Sequence, residues 1–305
     1  MIADGIDIQY SKCLSDISYS DDGRIVTAHF DDGSSTNGAI LVGADGTRSL
    51  VRNLLLEPEK AALTTLEFAA SIVQAKYSAE QVRFLRSWHP LYVAAPHPAG
   101  LFSWVGLHSA PDVDDPENWI MNHYISWPYS HAEQEKSKDW PNKVRLKQVK
   151  GFAEQFADPF RSAFVWLKDA HPVWYAPLTH WDPSLPEHQW DNHGGRVTLA
   201  GDAAHPMTFR MPHFWKNRSS ARANIRAERG QGLNSAIKDA SELAIQIVDF
   251  VQSRKTKLEA IEGYEKEMIG RTGPEVRLSA ENTRMVHVWD EVMQSPLISK
   301  GFAKQ

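Results

Sequence analysis

The sequence is poor in cysteine. Cys13 is the single cysteine in 305 residues, which excludes an intrachain disulfide and a thiolate-ligated metal centre and suits a reducing compartment. Long apolar runs are missing too: none approaches the roughly 18 residues that a bilayer-spanning helix requires. The opening stretch MIADGIDIQY lacks the basic segment and apolar core of a secretory signal. Positive charge is not in excess, since the formal net charge is −5, and phosphate binding needs a basic face. The expectation is a cytoplasmic chain with no membrane span and no nucleic-acid partner. There is no Gly-x-Ser-x-Gly elbow, no Gly-Lys-Ser/Thr phosphate loop and no His-Glu-x-x-His, so acyl transfer, nucleotide hydrolysis and zinc proteolysis have no support. His89, His97 and His108 match no metal-ligand spacing, and no metal is expected.

What is present is patterned for mixed α and β structure. Ile6, Ile8 and Tyr10 alternate with polar residues, and Ile25 to Phe30 forms a second short run, so residues 6 to 43 read as β structure. Asp-Asp-Gly triplets at 21–23 and 31–33 supply hairpin turns, because Asp-Gly tolerates positive φ. Ala39 to Gly43 is continuously apolar and predicts a strand buried on both faces. A short helix is expected over 48–56. From about residue 60 to 190 the texture changes. Strand-like runs at Phe68 to Val73, Leu91 to Ala95 and Leu101 to Leu107 accompany expected helices at Ser78 to Arg86 and Lys143 to Phe156. Nine of the eleven tryptophans lie between Trp88 and Trp190, a density that suits either a packed core or an aromatic-lined cavity. Arg196 to Ala200 returns to the buried-strand pattern. Leu233, Ala236, Ile237, Ala240, Leu243, Ala244 and Ile247 recur at helical spacing and predict a helix over 233–252. Two more helices are expected near 254–269 and 274–293, divided at Gly270 to Pro274, with Pro274 as a first helical residue.

Two loops carry the candidate chemistry. In ILVGADGTRSLVR, residues 40–52, a strand delivers Gly43, Asp45 and Gly46 to a tight turn before a helix, at the strand end where open α/β sheets bind ligands. In VTLAGDAAHPM, residues 197–207, a second strand ends in Gly201-Asp202, and the small Ala203 and Ala204 leave room for Asp202 to offer its carboxylate to a polyol. Gly230-Gln231-Gly232-Leu233-Asn234 then opens the long helix, whose first N–H groups favour negative charge. Each has a plainer reading: Asp45 as an Asp-Gly turn, Arg52 as a neighbour's partner, Asn234 as a helix cap.

Together these segments resemble the Asp-Gly and Gly-Asp motifs of FAD-dependent aromatic hydroxylases of the para-hydroxybenzoate or salicylate hydroxylase type. The two motifs stand in the same order, about 155 residues apart, with a mixed lobe between. The resemblance implies an α/β (α+β) fold: a Rossmann-like FAD-binding domain interleaved with a sheet-based substrate domain, followed by a helical C-terminal tail. It implies that FAD is reduced by NAD(P)H and that one atom of O2 reaches an activated small aromatic substrate. Asp202 would hold the ribityl chain, with Gly201 allowing close approach. Gly230, Gly232, Leu233 and Asn234 would meet the isoalloxazine, and Pro206 would border its reacting face. Asp45, Gly46 and Arg52 would lie near the pyrophosphate and the nicotinamide route. The resemblance assigns no general base.

The chain departs from that pattern twice. The strand, Gly-x-Gly-x-x-Gly turn and helix that hold the ADP part of FAD in the family are not found, so the FAD domain is expected to be incomplete and the chain N-terminally truncated. In addition, 22 residues separate Met207 from Gly230 where the family has a handful. Removing 211–228 leaves HPMTFRRGQGLN and restores the spacing. That insert carries Lys216, Arg218, Arg222 and Arg226 without apolar periodicity; it reads as a retained intron, an active-site lid or a basic arm. The expected division is 1–58 and 191–305 for the FAD domain and 59–190 for the substrate lobe. Three functions follow: a monooxygenase acting on a phenol-like or polyketide-like ring, a non-catalytic fragment unable to hold FAD tightly, or another flavin enzyme of the same fold. Substrate identity and oligomeric state are not legible.

Overall fold

The computed structural model describes residues 5–208 and 231–294. In chain order the first elements are β1 (Leu14–Tyr19), β2 (Val26–Phe30), β3 (Ser35–Gly38), β4 (Leu41–Gly43), α1 (Leu50–Leu55) and α2 (Pro58–Ala61). There follow β5 (Thr64–Ala75), α3 (Ala79–Arg86), β6 (Tyr92–Pro96), β7 (Phe102–Ser109), β8 (Ile120–Pro128), α4 (His131–Ser137), α5 (Asn142–Ala153), α6 (Phe160–Val165) and β9 (Trp174–His180). The last are β10 (Val197–Leu199), α7 (Gln231–Val251), α8 (Lys257–Val286) and α9 (Trp289–Gln294). The fold is thus a mixed helix-and-sheet one with a helical C-terminal region. Among the described residues no helix is long and apolar enough to cross a membrane.

Two compact units can be distinguished. One holds β1 to β4, α1, α2, β10, α7 and α8 as far as Ser279. Its β1–β2–β3 meander is antiparallel, and β4 pairs with β10 in a separate parallel pair. Gly23 and Gly33 take positive φ in the two Asp-Gly turns, as the sequence predicts. Val51, Val197, Leu199, Leu243, Ile261, Tyr264 and Met268 form its core. Each large apolar side chain so buried contributes roughly 1.5–3 kcal/mol.

The other unit is built on a five-stranded sheet in the order β6-β7-β8-β5-β9. Its helices begin where the sequence supplies reciprocal caps: Ser78 with Gln81 opens α3, and Ser130 with Glu133 opens α4. Ala69, Val73, Val105, Ile125, Val149 and Phe164 pack at its centre. Trp119 and Trp127 are buried in that core and Trp166 packs against it, whereas Trp88 and Trp174 are exposed.

Four local expectations are corrected. Ile6, Ile8 and Tyr10 are exposed and outside any strand, because no strand among the described residues pairs with them; the first described strand is Leu14–Tyr19. Strand β4 is not buried on both faces, for among the described residues it pairs with β10 alone and Val42 stays exposed. On α7 the apolar stripe divides: Leu243 is buried, but Leu233 is 69% and Ile237 57% exposed. Finally, α8 runs unbroken through Pro274. The proline sits on the exposed side, while Tyr264, Met268, Thr272, Val276 and Ser279 form one buried stripe past it, and burial outweighs the lost hydrogen bond to Gly270.

Candidate functional site

The site is built where β4 and β10 end. The pair is parallel, with Leu41 opposite Val197 and Gly43 opposite Leu199, so both strands release their following loops side by side. The Ala200 N–H donates to the Gly43 carbonyl at 2.9 Å and extends this register into the loops. Position 43 has no room for a side chain: a Cβ there would lie 2.7 Å from Val51 Cβ and 2.8 Å from Leu199 Cδ2.

In the first loop the Asp45 carboxylate accepts from Ser49 Oγ at 2.5 Å, Leu50 N–H at 2.7 Å and Val51 N–H at 3.2 Å. Ser49 Oγ in turn accepts the Arg52 N–H at 3.0 Å. Three of the N–H groups left unpaired at the start of α1 are thereby satisfied. Asp45 itself is exposed, and its geometry is that of a helix cap.

Arg52 lies inside the protein, 1% exposed. Nε donates to the Ala61 carbonyl at 3.1 Å, Nη1 to Ala203 at 2.8 Å and Nη2 to Thr47 at 2.7 Å. The guanidinium lies 5.1 Å from the centre of the Trp181 ring. Burial pushes its pKa below the ordinary arginine value, but not far enough to remove the charge at neutral pH. Since Thr47 belongs to one loop and Ala203 to the other, Arg52 ties the two together from beneath.

The second loop turns at Gly201, where φ is +61° and a Cβ would come within 3.3 Å of Ala236 Cβ on α7. Both facts call for glycine. Asp202 projects outward, exposed, with Oδ1 3.6 Å from where a Cβ on Gly232 would stand. Pro206 is buried, its carbonyl accepting the Trp181 N–H at 3.1 Å. Asn234 is exposed on α7, and Gly230 lies outside the described residues, as does the 211–228 insert.

Gly46, Gly201, Asp202, Gly232 and Leu233 line one cleft of about 540 Å³, together with Val42, Ala200, Ala236 and Ala240. Arg52, Pro206 and Asn234 are not among its lining residues. The lining is small and apolar with a single carboxylate, which suits a flat ring carrying a hydroxylated chain. Glycines at 201 and 232 keep clear the space that side chains would fill.

Sequence reasoning passed over the residues that hold this arrangement. Asp239 is fully buried on α7: Oδ2 accepts the Gly201 N–H at 2.7 Å and bonds His205 Nε2 at 2.6 Å, while Oδ1 accepts from Arg271 Nη2 at 2.6 Å. Burial alone would raise its pKa, but His205, Arg271 and the Gly201 amide outweigh that and hold it below the usual carboxylate range. Tyr264 on α8 donates to the Leu199 carbonyl at 2.9 Å, and buried Glu265 accepts from Trp190, Asn192 and Thr198. One signal was available for Asp239: it lies three residues after Ala236 and four before Leu243, on the apolar face of an amphipathic helix.

Known proteins similar in sequence identify the group. A monooxygenase from Penicillium herquei, FAD-dependent monooxygenase phnB, is 34% identical over 305 residues, 99% of this chain and 68% of its own length. The chain belongs to the FAD-dependent monooxygenases. A second member, cctM of Talaromyces islandicus, is 34% identical over all of this chain and 70% of its own length. Among solved structures, Klebsiella pneumoniae HpxO complexed with FAD and uric acid shares the fold, with a TM-score of 0.64 at 20% identity over 92% of this chain and 60% of that one. No family model matches the sequence. As an FAD-dependent monooxygenase the chain is an enzyme, and the reading as a non-catalytic fragment is not favoured.

Proposed function

We propose that this monooxygenase uses NAD(P)H and O2 to hydroxylate a small aromatic molecule of phenol-like or polyketide-like character, with the isoalloxazine of FAD lodged in the cleft between the two loops and α7. The convergence of Gly46, Asp202 and Gly232 on one cleft carries this reading. Asp202 would accept hydrogen bonds from the ribityl hydroxyls, and Gly201 and Gly232 would let backbone approach the ring. The first N–H groups of α7, unpaired within the helix, favour the negative charge that collects on a reduced ring. Gly230, Leu233, Asn234 and Pro206 are assigned to the ring's surroundings. Asp45 and Gly46 are assigned to the pyrophosphate side, where Arg52 acts by fixing the loops. Bound FAD supplies the electron transfer and oxygen activation, and the chain contributes binding, orientation and exclusion of water. The unit built on the five-stranded sheet is the proposed substrate lobe. The HpxO complex, with FAD and a flat heterocycle together, supports a planar small substrate.

Purified chain titrated with FAD is expected to quench flavin fluorescence and retain the flavin absorption band through gel filtration. It should then oxidise NADPH or NADH faster when a phenolic substrate is added, with hydroxylated product seen by mass spectrometry. A chain that stays colourless, or oxidises the nicotinamide at one rate whatever phenol is present, refutes the proposal.

A further inference from the structure

We propose that Asp239 is the positioning residue of the flavin cleft, clasping the Gly201–Ala203 turn to α7 so that Asp202 is held opposite Gly232. The inference rests on the flavin reading given above and deepens it.

The turn is gripped at two points by one carboxylate oxygen. Gly201, where the turn begins, gives Oδ2 its N–H at 2.7 Å, and His205, beyond its end, meets the same oxygen through Nε2 at 2.6 Å. Between these grips the backbone closes on itself, with the His205 N–H bonding the Gly201 carbonyl at 3.0 Å. Asp202 is the exposed residue inside the clasped segment. Its distance from the start of α7 is therefore set by Asp239, which stands on that same helix seven residues after Gly232. The other oxygen is anchored to α8 through Arg271, itself held by Glu267 at 2.9 and 3.1 Å. The Gly201 N–H and His205 Nε2 on one oxygen and Arg271 on the other fix the carboxylate's orientation, while His205 Nδ1 is buried with no partner among the described residues. Three donors converge on it, which only a carboxylate satisfies fully: an asparagine amide would turn an N–H group toward one of them. A buried ionic group is a poor way to gain stability, because desolvation cancels much of its attraction, whereas it fixes geometry well.

The test pairs flavin affinity with the motion of the turn. Asp239→Asn is expected to weaken binding of FAD, or of FMN as the ring-bearing probe, by about tenfold or more, the loss of one charge-assisted hydrogen bond. Deuterium exchange of peptides covering 197–208 should rise in the same variant without flavin, while circular dichroism keeps the wild-type spectrum. Asp202→Asn should weaken flavin binding in the wild-type background and add much less in the Asp239→Asn background, since an unclasped Asp202 is no longer held in place. Arg271→Gln, which removes the anchor to α8 but leaves both grips on the turn, should lower the melting temperature and weaken flavin binding less than Asp239→Asn does. A purely structural Asp239 would instead give independent, additive effects. Should Asp239→Asn fail to fold, His205→Ala removes one grip and must raise turn exchange and lower affinity together. Wild-type affinity in a folded Asp239→Asn or His205→Ala variant overturns this inference alone. A wild-type chain that binds neither FAD nor FMN overturns the flavin reading and this inference with it.

Discussion

Replacing Arg52 by methionine removes a buried guanidinium while keeping most of its apolar stem. Three carbonyl oxygens, of Thr47, Ala61 and Ala203, then lose their donors at 2.7, 3.1 and 2.8 Å. A buried acceptor left unpaired costs about 1–3 kcal/mol. The loss of the guanidinium from the Trp181 ring adds roughly 1 kcal/mol. Against this, methionine does not have to be stripped of water as a charged arginine is, which returns several kcal/mol. The net expectation is a destabilisation of about 2–5 kcal/mol, large beside the 5–15 kcal/mol that holds a typical domain folded. Lysine keeps the charge but not the planar fork, so Arg52→Lys should fall between wild type and Arg52→Met. Urea denaturation reports the global loss. Deuterium exchange locates it, because the clamp joins residues 151 positions apart and both loops must loosen together. If Arg52→Met unfolds within about 1 kcal/mol of wild type, or if only one loop exchanges faster, the clamp reasoning is wrong.

The remaining predictions concern packing, capping and pH. Gly43→Ala forces a Cβ to within 2.7 Å of Val51 and 2.8 Å of Leu199 and should cost about 1–3 kcal/mol by thermal melting; an unchanged melting temperature would show that β4 is free to move. Asp45→Ala deprives the Leu50 and Val51 N–H groups of their acceptor and should cost about 0.5–2 kcal/mol, with faster exchange confined to the start of α1. His123, fully buried against the Tyr77 hydroxyl at 2.8 Å, has its pKa lowered by burial, then by His171, to about 3. The unfolded chain takes up this proton near pH 6.5 and the folded one does not, so stability is full above that value and lost as pH falls from there to about 3. Between pH 7 and pH 5 wild type should lose about 2 kcal/mol more than His123→Phe, measured from urea midpoints; equal losses would refute the assignment.

Much of the fold was open to inspection in the chain because local backbone demands are written in residue type. Asp-Gly turns, the helix from Ser78, the β10 strand and the long α7 helix all follow from neighbours within a few positions. The failures came where partners decide. Ile6 to Tyr10 alternates like a strand but has none beside it among the described residues, and Pro274 looks like a helix start until a continuous buried face carries the helix across it. The motif residues divide the same way. Gly46, Gly201, Asp202, Gly232 and Leu233 line the cleft, whereas Arg52 turned inward and Asp45 became a cap.

On its own, then, the amino-acid sequence determined that two glycine-aspartate turns follow strands and that a glycine-opened helix comes after, since these depend on φ, on side-chain size and on hydrogen bonds within one turn. Tertiary structure alone decided that the turns lie side by side, that Arg52 fastens them and that Asp239 grips Gly201 and His205. Those contacts join segments 34 to 151 positions apart, and the direction of a side chain at such range is set by what is packed against it.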